Sequence, residues 1–189
     1  MSIMLPPGYQ LRSGSSLDRV MLVKFMHLTY QEFDPERDFS HLAQTVEQYL
    51  SKDTPLWWVE FLDEEDKEDK EDKEDKEAVL LTRSPAHPLT RSPAHPLKSS
   101  KAIASLWIGN AVDQVKGSRH THIFLLYVAP EHRRKGIGTA LMHHAEDWAR
   151  ARGDRQISLQ VFLSNQGAVN LYQQLGYQTE SLLMVKSIN

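Results

Sequence analysis

Val128-Ala129-Pro130-Glu131-His132-Arg133-Arg134-Lys135-Gly136-Ile137-Gly138-Thr139-Ala140-Leu141 is the stretch that decides the fold. The run His120–Val128 leading into it is rich in β-branched and aromatic residues and reads as a strand, which Pro130 ends. Ile137, Leu141, Ala145 and Trp148 then recur at helical spacing. They predict a helix from near Gly136 to Arg152, stopped by Gly153. A basic turn therefore hands a strand over to a helix that opens on two glycines. Glycine lets backbone approach a ligand closely, and the first helical turn has N–H groups without intrahelical acceptors. The helix dipole adds a preference for negative charge. The segment has the makings of an anion cradle, with Arg133, Arg134 and Lys135 beside it. The plainer alternative is a tight turn carrying solvated basic residues. A P-loop would need Gly-Lys followed by Ser or Thr, which is absent. A dinucleotide fingerprint would need a small residue where Leu141 stands and an acid near Ser158 and Gln160.

Outward from this segment, Tyr9–Arg12 reads as a short strand. Ser16 is a candidate N-cap for a helix from Leu17 to about Phe33, with Leu17, Met21, Phe25 and Leu28 along its buried side. A second helix is predicted from about Phe39 to Leu50, burying Leu42, Val46, Tyr49 and Leu50. Trp57–Leu62 and Ala102–Gly109 read as neighbouring antiparallel strands. Beyond the glycine-opened helix come a strand Ile157–Leu163, a helix Gln166–Leu175 ended by Gly176, and a final strand Tyr177–Ile188. The order β α α β β β α β α β predicts an α/β (α+β) layer fold with a mixed sheet.

The 189 residues suit one domain of ~100–200 residues. Two repeats interrupt it: Glu-Asp-Lys four times over Glu65–Lys76, and Leu81–Pro88 copied letter for letter as Leu89–Pro96. The first cannot build a core and the second holds four prolines, so 63–100 is expected to be a low-complexity insert in a β-hairpin loop of a single 1–189 domain. Residues 63–77 carry a net −7 and the rest of the chain +4, against −3 overall. The overall balance argues against a general nucleic-acid binder, while the mildly basic remainder suits a phosphate-bearing small ligand. With no cysteine, disulfides, thiolate nucleophiles and Cys-ligated metals are excluded. A spanning helix needs about 20 apolar residues in a row, and no such run or signal-peptide pattern is seen. The expectation is a cytoplasmic protein with neither a membrane nor a nucleic acid as partner.

The Arg133-Arg134-Lys135-Gly136-Ile137-Gly138 turn resembles motif A of the GNAT superfamily of acetyl-CoA-dependent N-acetyltransferases. Asn165-Gln166-Gly167-Ala168-Val169-Asn170-Leu171-Tyr172-Gln173-Gln174-Leu175-Gly176-Tyr177 resembles its motif B. The two cover residues 120–177; the N-terminal half agrees in element order only. The resemblance implies the GNAT fold, with helices on both faces of a sheet whose two central strands splay apart. It implies acetyl-CoA as co-substrate and no metal. The diphosphate would lie on Arg133, Arg134, Lys135, Gly136, Ile137, Gly138 and Thr139, and the pantetheine arm along Leu126, Tyr127 and Val128. An amine acceptor, small molecule or peptide, would attack directly, and a homodimer is left open. A non-catalytic acyl-CoA-binding module on the same fold is the alternative.

By the same resemblance Tyr172 is the general acid and Asn165 contacts pantetheine while capping its helix. By pattern alone Tyr172 reads first as a core aromatic at helical spacing from Ala168 and Leu175; the motif match is what points to the acid role. In some family members an acidic residue or histidine eleven positions before the signature Arg assists as base, which gives His122; the plainer reading is a polar histidine at the strand entry, facing solvent. Histidine titrates near neutrality and suits the task. Strand alternation would put His120, His122, Phe124 and Leu126 on one face, unless a bulge shifts the count. Leu159-Gln160-Val161 replaces the Leu-Glu-Val of family members that acetylate protein N-termini, so a ribosomal-protein substrate is disfavoured. Glu60 and Glu131 are further carboxylates to consider. Tyr30, Phe33, Asp34, Trp57 and Trp58 are available to line an acceptor pocket, and His143 and His144 read as surface.

Overall fold

The computed structural model describes residues 3–62, 101–113 and 115–188. Among them lies a five-stranded sheet in the order β1 (Tyr9–Ser13), β2 (Leu56–Phe61), β3 (Ala102–Val112), β4 (Arg119–Val128), β5 (Ile157–Leu159). The first four strands pair antiparallel and β5 joins β4 in parallel. Four helices cover it: α1 (Arg19–Gln31), α2 (Leu42–Tyr49), α3 (Ile137–Ala151) and α4 (Gln166–Gln174).

Side-chain alternation on the strands divides the core in two. On one face Trp57, Val59, Leu106, Ile108 and Ile123 pack against Ile137, Leu141, Met142 and Ala145 of α3 and Tyr172 of α4. On the other, Trp58, Trp107, Leu125 and Tyr127 pack against Leu22, Phe25 and Met26 of α1 and Leu42 and Val46 of α2. Trp57 and Trp58 are both core residues, 8% and 0% exposed, rather than open to a ligand. Each face carries helices, as the family resemblance implies.

Several boundaries differ from expectation. Ser15, not Ser16, caps the chain before α1: its hydroxyl accepts from Leu17 N–H, and Asp18 closes the capping box over a single 3₁₀ turn, Ser16–Asp18. The α-helix therefore starts later and presents Leu22, Phe25 and Met26 inward, leaving Leu17 92% exposed. Tyr49 and Leu28 also face outward in part. Residues Tyr177–Ile188 form no strand. The regular part of β5 is only three residues long, so its outer edge offers too little ladder to hold another strand. The hairpin insert lies outside the described residues; its flanks, β2 and β3, are antiparallel neighbours.

Candidate functional site

The β4–α3 junction is held from three sides. Pro130–His132 make one 3₁₀ turn, and His132 Nδ1 meets the Tyr9 hydroxyl of β1 at 2.9 Å. Arg133 donates from Nε to the Val128 carbonyl at 2.9 Å and forms a two-pronged ion pair with Glu32, just past α1, both contacts at 2.7 Å. Those hydrogen bonds hold the Glu32 carboxyl below its ordinary value. The Arg133 guanidinium thus commits three of its five N–H donors to stapling the turn. Backbone then turns left-handed at Arg134 (φ 62°) and again at Gly136 (φ 84°). The first backbone bond of α3 runs from Ala140 N–H to the Gly136 carbonyl, leaving Ile137, Gly138 and Thr139 as amides without an intrahelical acceptor. A Cβ on Gly136 would meet nothing within 4 Å, so the space beside the residue that opens the helix is free. A Cβ on Gly138 would come within 3.2 Å of Leu171 Cδ2, so the glycine lets α4 close against the first turn of α3. Arg134 and Lys135 are exposed beside the opening.

Next to the cradle the sheet opens. β4 pairs with β5 only at Thr121–Ile157, His122–Ser158 and Ile123–Leu159, although β4 continues to Val128. The β5 side of Leu126, Tyr127 and Val128 has no strand partner among the described residues, which suits an extended arm hydrogen-bonding along β4. The cradle and this open edge together fit a diphosphate with a pantetheine arm. One of Val128's backbone groups, its carbonyl, is already taken by Arg133.

A bulge in β4 resets its faces. Trp107 pairs with Leu125 and Ile108 with Ile123, so Phe124 is the extra residue. Phe124 and Leu125 both pack with the α1–α2 core, whereas Leu126 packs with the α3–α4 core. The expected common face of His120, His122, Phe124 and Leu126 is therefore broken after Phe124. His122 remains on the strand beside Phe124, rings 5.3 Å apart. Its Nδ1 lies 2.8 Å from the Ser158 hydroxyl, and His120 Nε2 reaches the same hydroxyl at 2.9 Å. Burial, with a smaller contribution from the charge of His120, lowers the His122 pKa. Neutral His122 is the form that can take a proton. Among the described residues no group of three or more His, Cys, Asp or Glu could hold a metal ion.

Tyr172 lies on the buried side of α4, 9% exposed, with Tyr177 at 5.9 Å between ring centroids. Burial pushes its phenol up to about 12. Asn165 caps α4, its Oδ1 accepting from Ala168 N–H at 3.1 Å. Glu60 is committed elsewhere, to Arg12 at 2.7 Å, and Glu131 and Gln160 are exposed. His144 is not a surface residue: its ring meets Trp57 edge-on at 4.6 Å.

A cleft of about 350 Å³ opens between the end of α1, the α1–α2 connection and the chain after β5. Tyr30, Phe33 and Asp34 line it as expected, joined by Arg37, Phe39 and Phe162. The residues missed by the sequence reading are Ser158, Glu32, Phe39 and Phe162. Ser158 could have been found from the parallel register, which sets it opposite His122. Glu32 and Phe162 carry no local signal, because their partners are distant in sequence.

The match of residues 56–177 to the model of the Acetyltransferase (GNAT) family covers more than half of the chain, which belongs to that family. An uncharacterised N-acetyltransferase of Methanocaldococcus jannaschii is 34% identical over 87 residues, 43% of this chain and 37% of the relative. Streptothricin acetyltransferase of Streptomyces lavendulae is 48% identical over 50 residues, 26% of each chain. This chain thus spans well under half of the length of these curated relatives. Among solved structures, a GCN5-related N-acetyltransferase from Ralstonia eutropha superposes with a TM-score of 0.60 at 19% identity, over 96% of this chain and 99% of that one. That likeness concerns the fold. No helix among the described residues is long and apolar enough to cross a membrane.

Proposed function

We propose that this chain is an N-acetyltransferase that moves the acetyl group of acetyl-CoA directly to a primary amine in a ternary complex. The observation that carries the reading is the juxtaposition at Gly138: an open row of amides at the start of α3 with the Tyr172-bearing helix closed against it. Amides of residues 134–139 would receive the diphosphate, with the charge of Arg134 and Lys135 nearby. Backbone of Leu126, Tyr127 and Val128 would receive the arm, and Asn165 would add a polar contact at its far side.

The protons can be followed. The acceptor arrives as an ammonium and gives one proton to neutral His122, whose imidazole is steadied by Ser158. The amine nitrogen then bonds to the acetyl carbon as the carbon–sulfur bond breaks. Tyr172 gives its phenolic proton to the departing thiolate, and the second proton of the nitrogen restores the phenol. Burial leaves the Tyr172 phenol a weaker acid than an ordinary thiol, so on this reading it gives up its proton as the nitrogen returns one.

The test is coenzyme A release with a panel of primary amines. Turnover by the wild type is expected. Coenzyme A binding with no amine turned over would instead support the non-catalytic acyl-CoA-binding reading. The sign of the pH dependence follows from His122. Its base form is lost as pH falls through a pKa lowered by burial, so the acid limb of kcat/KM is expected below the ordinary histidine value of about 6.5. In His122→Gln that limb should vanish and the rate should drop. Survival of the limb would remove His122 from the base role. Ser158→Ala should lower kcat/KM about tenfold through loss of ring orientation, with coenzyme A affinity unchanged and activity rescued by Ser158→Thr. An equal loss in both variants would speak for mere packing.

We further read residues 1–189 as one acetyltransferase domain interrupted at 63–100, acting in the cytoplasm and needing no metal. Deleting 63–100 is expected to leave coenzyme A affinity within about twofold, as a long surface insertion adds little beyond loop-closure entropy. Calorimetry on the shortened chain checks this, and loss of binding would contradict it.

A further inference from the structure

The cleft at the end of α1 is built mainly of rings. Tyr30 and Phe39 stack at 5.9 Å with planes 22° apart, and Phe162 meets Tyr30 nearly perpendicular at 6.2 Å. Phe33 flanks Phe162 at 6.0 Å, planes 35° apart. Phe162 is 50% exposed, so about half of its surface is open to a ligand while the rest meets Tyr30 and Phe33. The cleft is flanked in the chain by residues that organise the cofactor site. Phe33 follows Glu32, which grips Arg133 of the cradle, and Ser164 precedes Asn165, the cap of the Tyr172 helix. A body seated here is therefore held by the same two segments that frame the acetyl-transfer site.

Charge and size narrow what that body is. The lining carries one carboxylate, Asp34, one guanidinium, Arg37, and one imidazole, His41, so acids do not outnumber basic groups. A site selecting a polycation would concentrate acids; here the opposite charges leave no net field to favour a polyamine or a polyamino sugar. The volume of about 350 Å³ sits at the low end of the ~300–1,000 Å³ of small-ligand pockets, which suits a compact molecule. The feature left to discriminate is the aromatic surface, which rewards a flat ring through offset or edge-on contact.

Resting on the acetyltransferase reading above, we infer that the acceptor is a small primary amine carried on an aromatic ring system, with the ring held among Tyr30, Phe33, Phe39 and Phe162.

The test compares 2-phenylethylamine, n-butylamine, spermidine and glucosamine as acceptors for the full chain with saturating acetyl-CoA, with saturation-transfer NMR of the same amines as a binding readout. The expected result is a kcat/KM for 2-phenylethylamine at least about tenfold above the other three, with saturation strongest on its ring protons. Phe162→Ala and Phe162→Leu should each cut the aromatic-over-aliphatic ratio about tenfold while coenzyme A affinity stays as in the wild type. The leucine variant keeps apolar bulk and removes only the π face. Preference for spermidine or glucosamine, or an unchanged ratio in Phe162→Leu, would overturn the inference. Ring-proton saturation that Phe162→Leu abolishes, with no amine acetylated, would sustain the aromatic site and overturn the catalytic reading instead. Absence of both turnover and ring saturation would overturn the two together.

Discussion

Tyr172→Phe is expected to lower kcat about a hundredfold, the lower end of the range for loss of a positioned general acid, with coenzyme A affinity unchanged. The substitution removes one hydroxyl from a side chain that is otherwise core, packed with Ile137 and Leu141. The fold should therefore survive, and a melting temperature within a few degrees of the wild type would document that. The phenol at about 12 stays protonated throughout an ordinary assay range, so Tyr172 should contribute no alkaline limb to the wild-type profile. Stopped-flow or steady-state coenzyme A release checks the rate. A kcat within twofold of the wild type would return Tyr172 to the role of a packed aromatic.

Gly136→Asp should have the second large effect, on binding rather than on chemistry. Gly136 sits at φ 84° with nothing within 4 Å of an added Cβ. Aspartate and asparagine tolerate this left-handed region better than most residues. The carboxylate would stand where the cradle is to receive a diphosphate, and like charges held together cost several kcal/mol. Coenzyme A affinity is expected to fall at least about a hundredfold, equivalent to roughly 2.7 kcal/mol. Gly136→Asn has the same shape without the charge and should lose only a few fold. Titration calorimetry on both variants decides the matter. Equal losses would mean that backbone strain, rather than charge at the amides, sets the affinity.

The site was legible in the sequence where its determinants are local. The 130–138 turn combines a proline stop, basic residues and spaced glycines, and each of these acts on its own neighbours, so both the strand-to-helix junction and the acceptor-less amides could be read directly. Asn165 was readable for the same reason, since a cap bonds three residues ahead. The bulge at Phe124 was not, because it is a mismatch between β4 and β3, and it moves Leu126 to the opposite face from His122. The double anchoring of Ser158 by His120 and His122 depends on the parallel register of two strands, and Arg133 finds Glu32 across 101 positions. The sequence marks Arg133 only as a basic residue of the turn; that it also staples the turn to Glu32 shows only in three dimensions. The apolar run Leu182–Val185 invited a strand, but strand formation needs a partner edge that three-residue β5 does not supply.

Everything in the proposed mechanism depends on the amides at the start of α3. The most direct measurement is a crystal structure of the chain with coenzyme A bound. The account predicts diphosphate oxygens within hydrogen-bond distance of the Ile137, Gly138 and Thr139 N–H groups and the arm running along Leu126–Val128. Coenzyme A bound elsewhere, with those amides facing solvent, would contradict it.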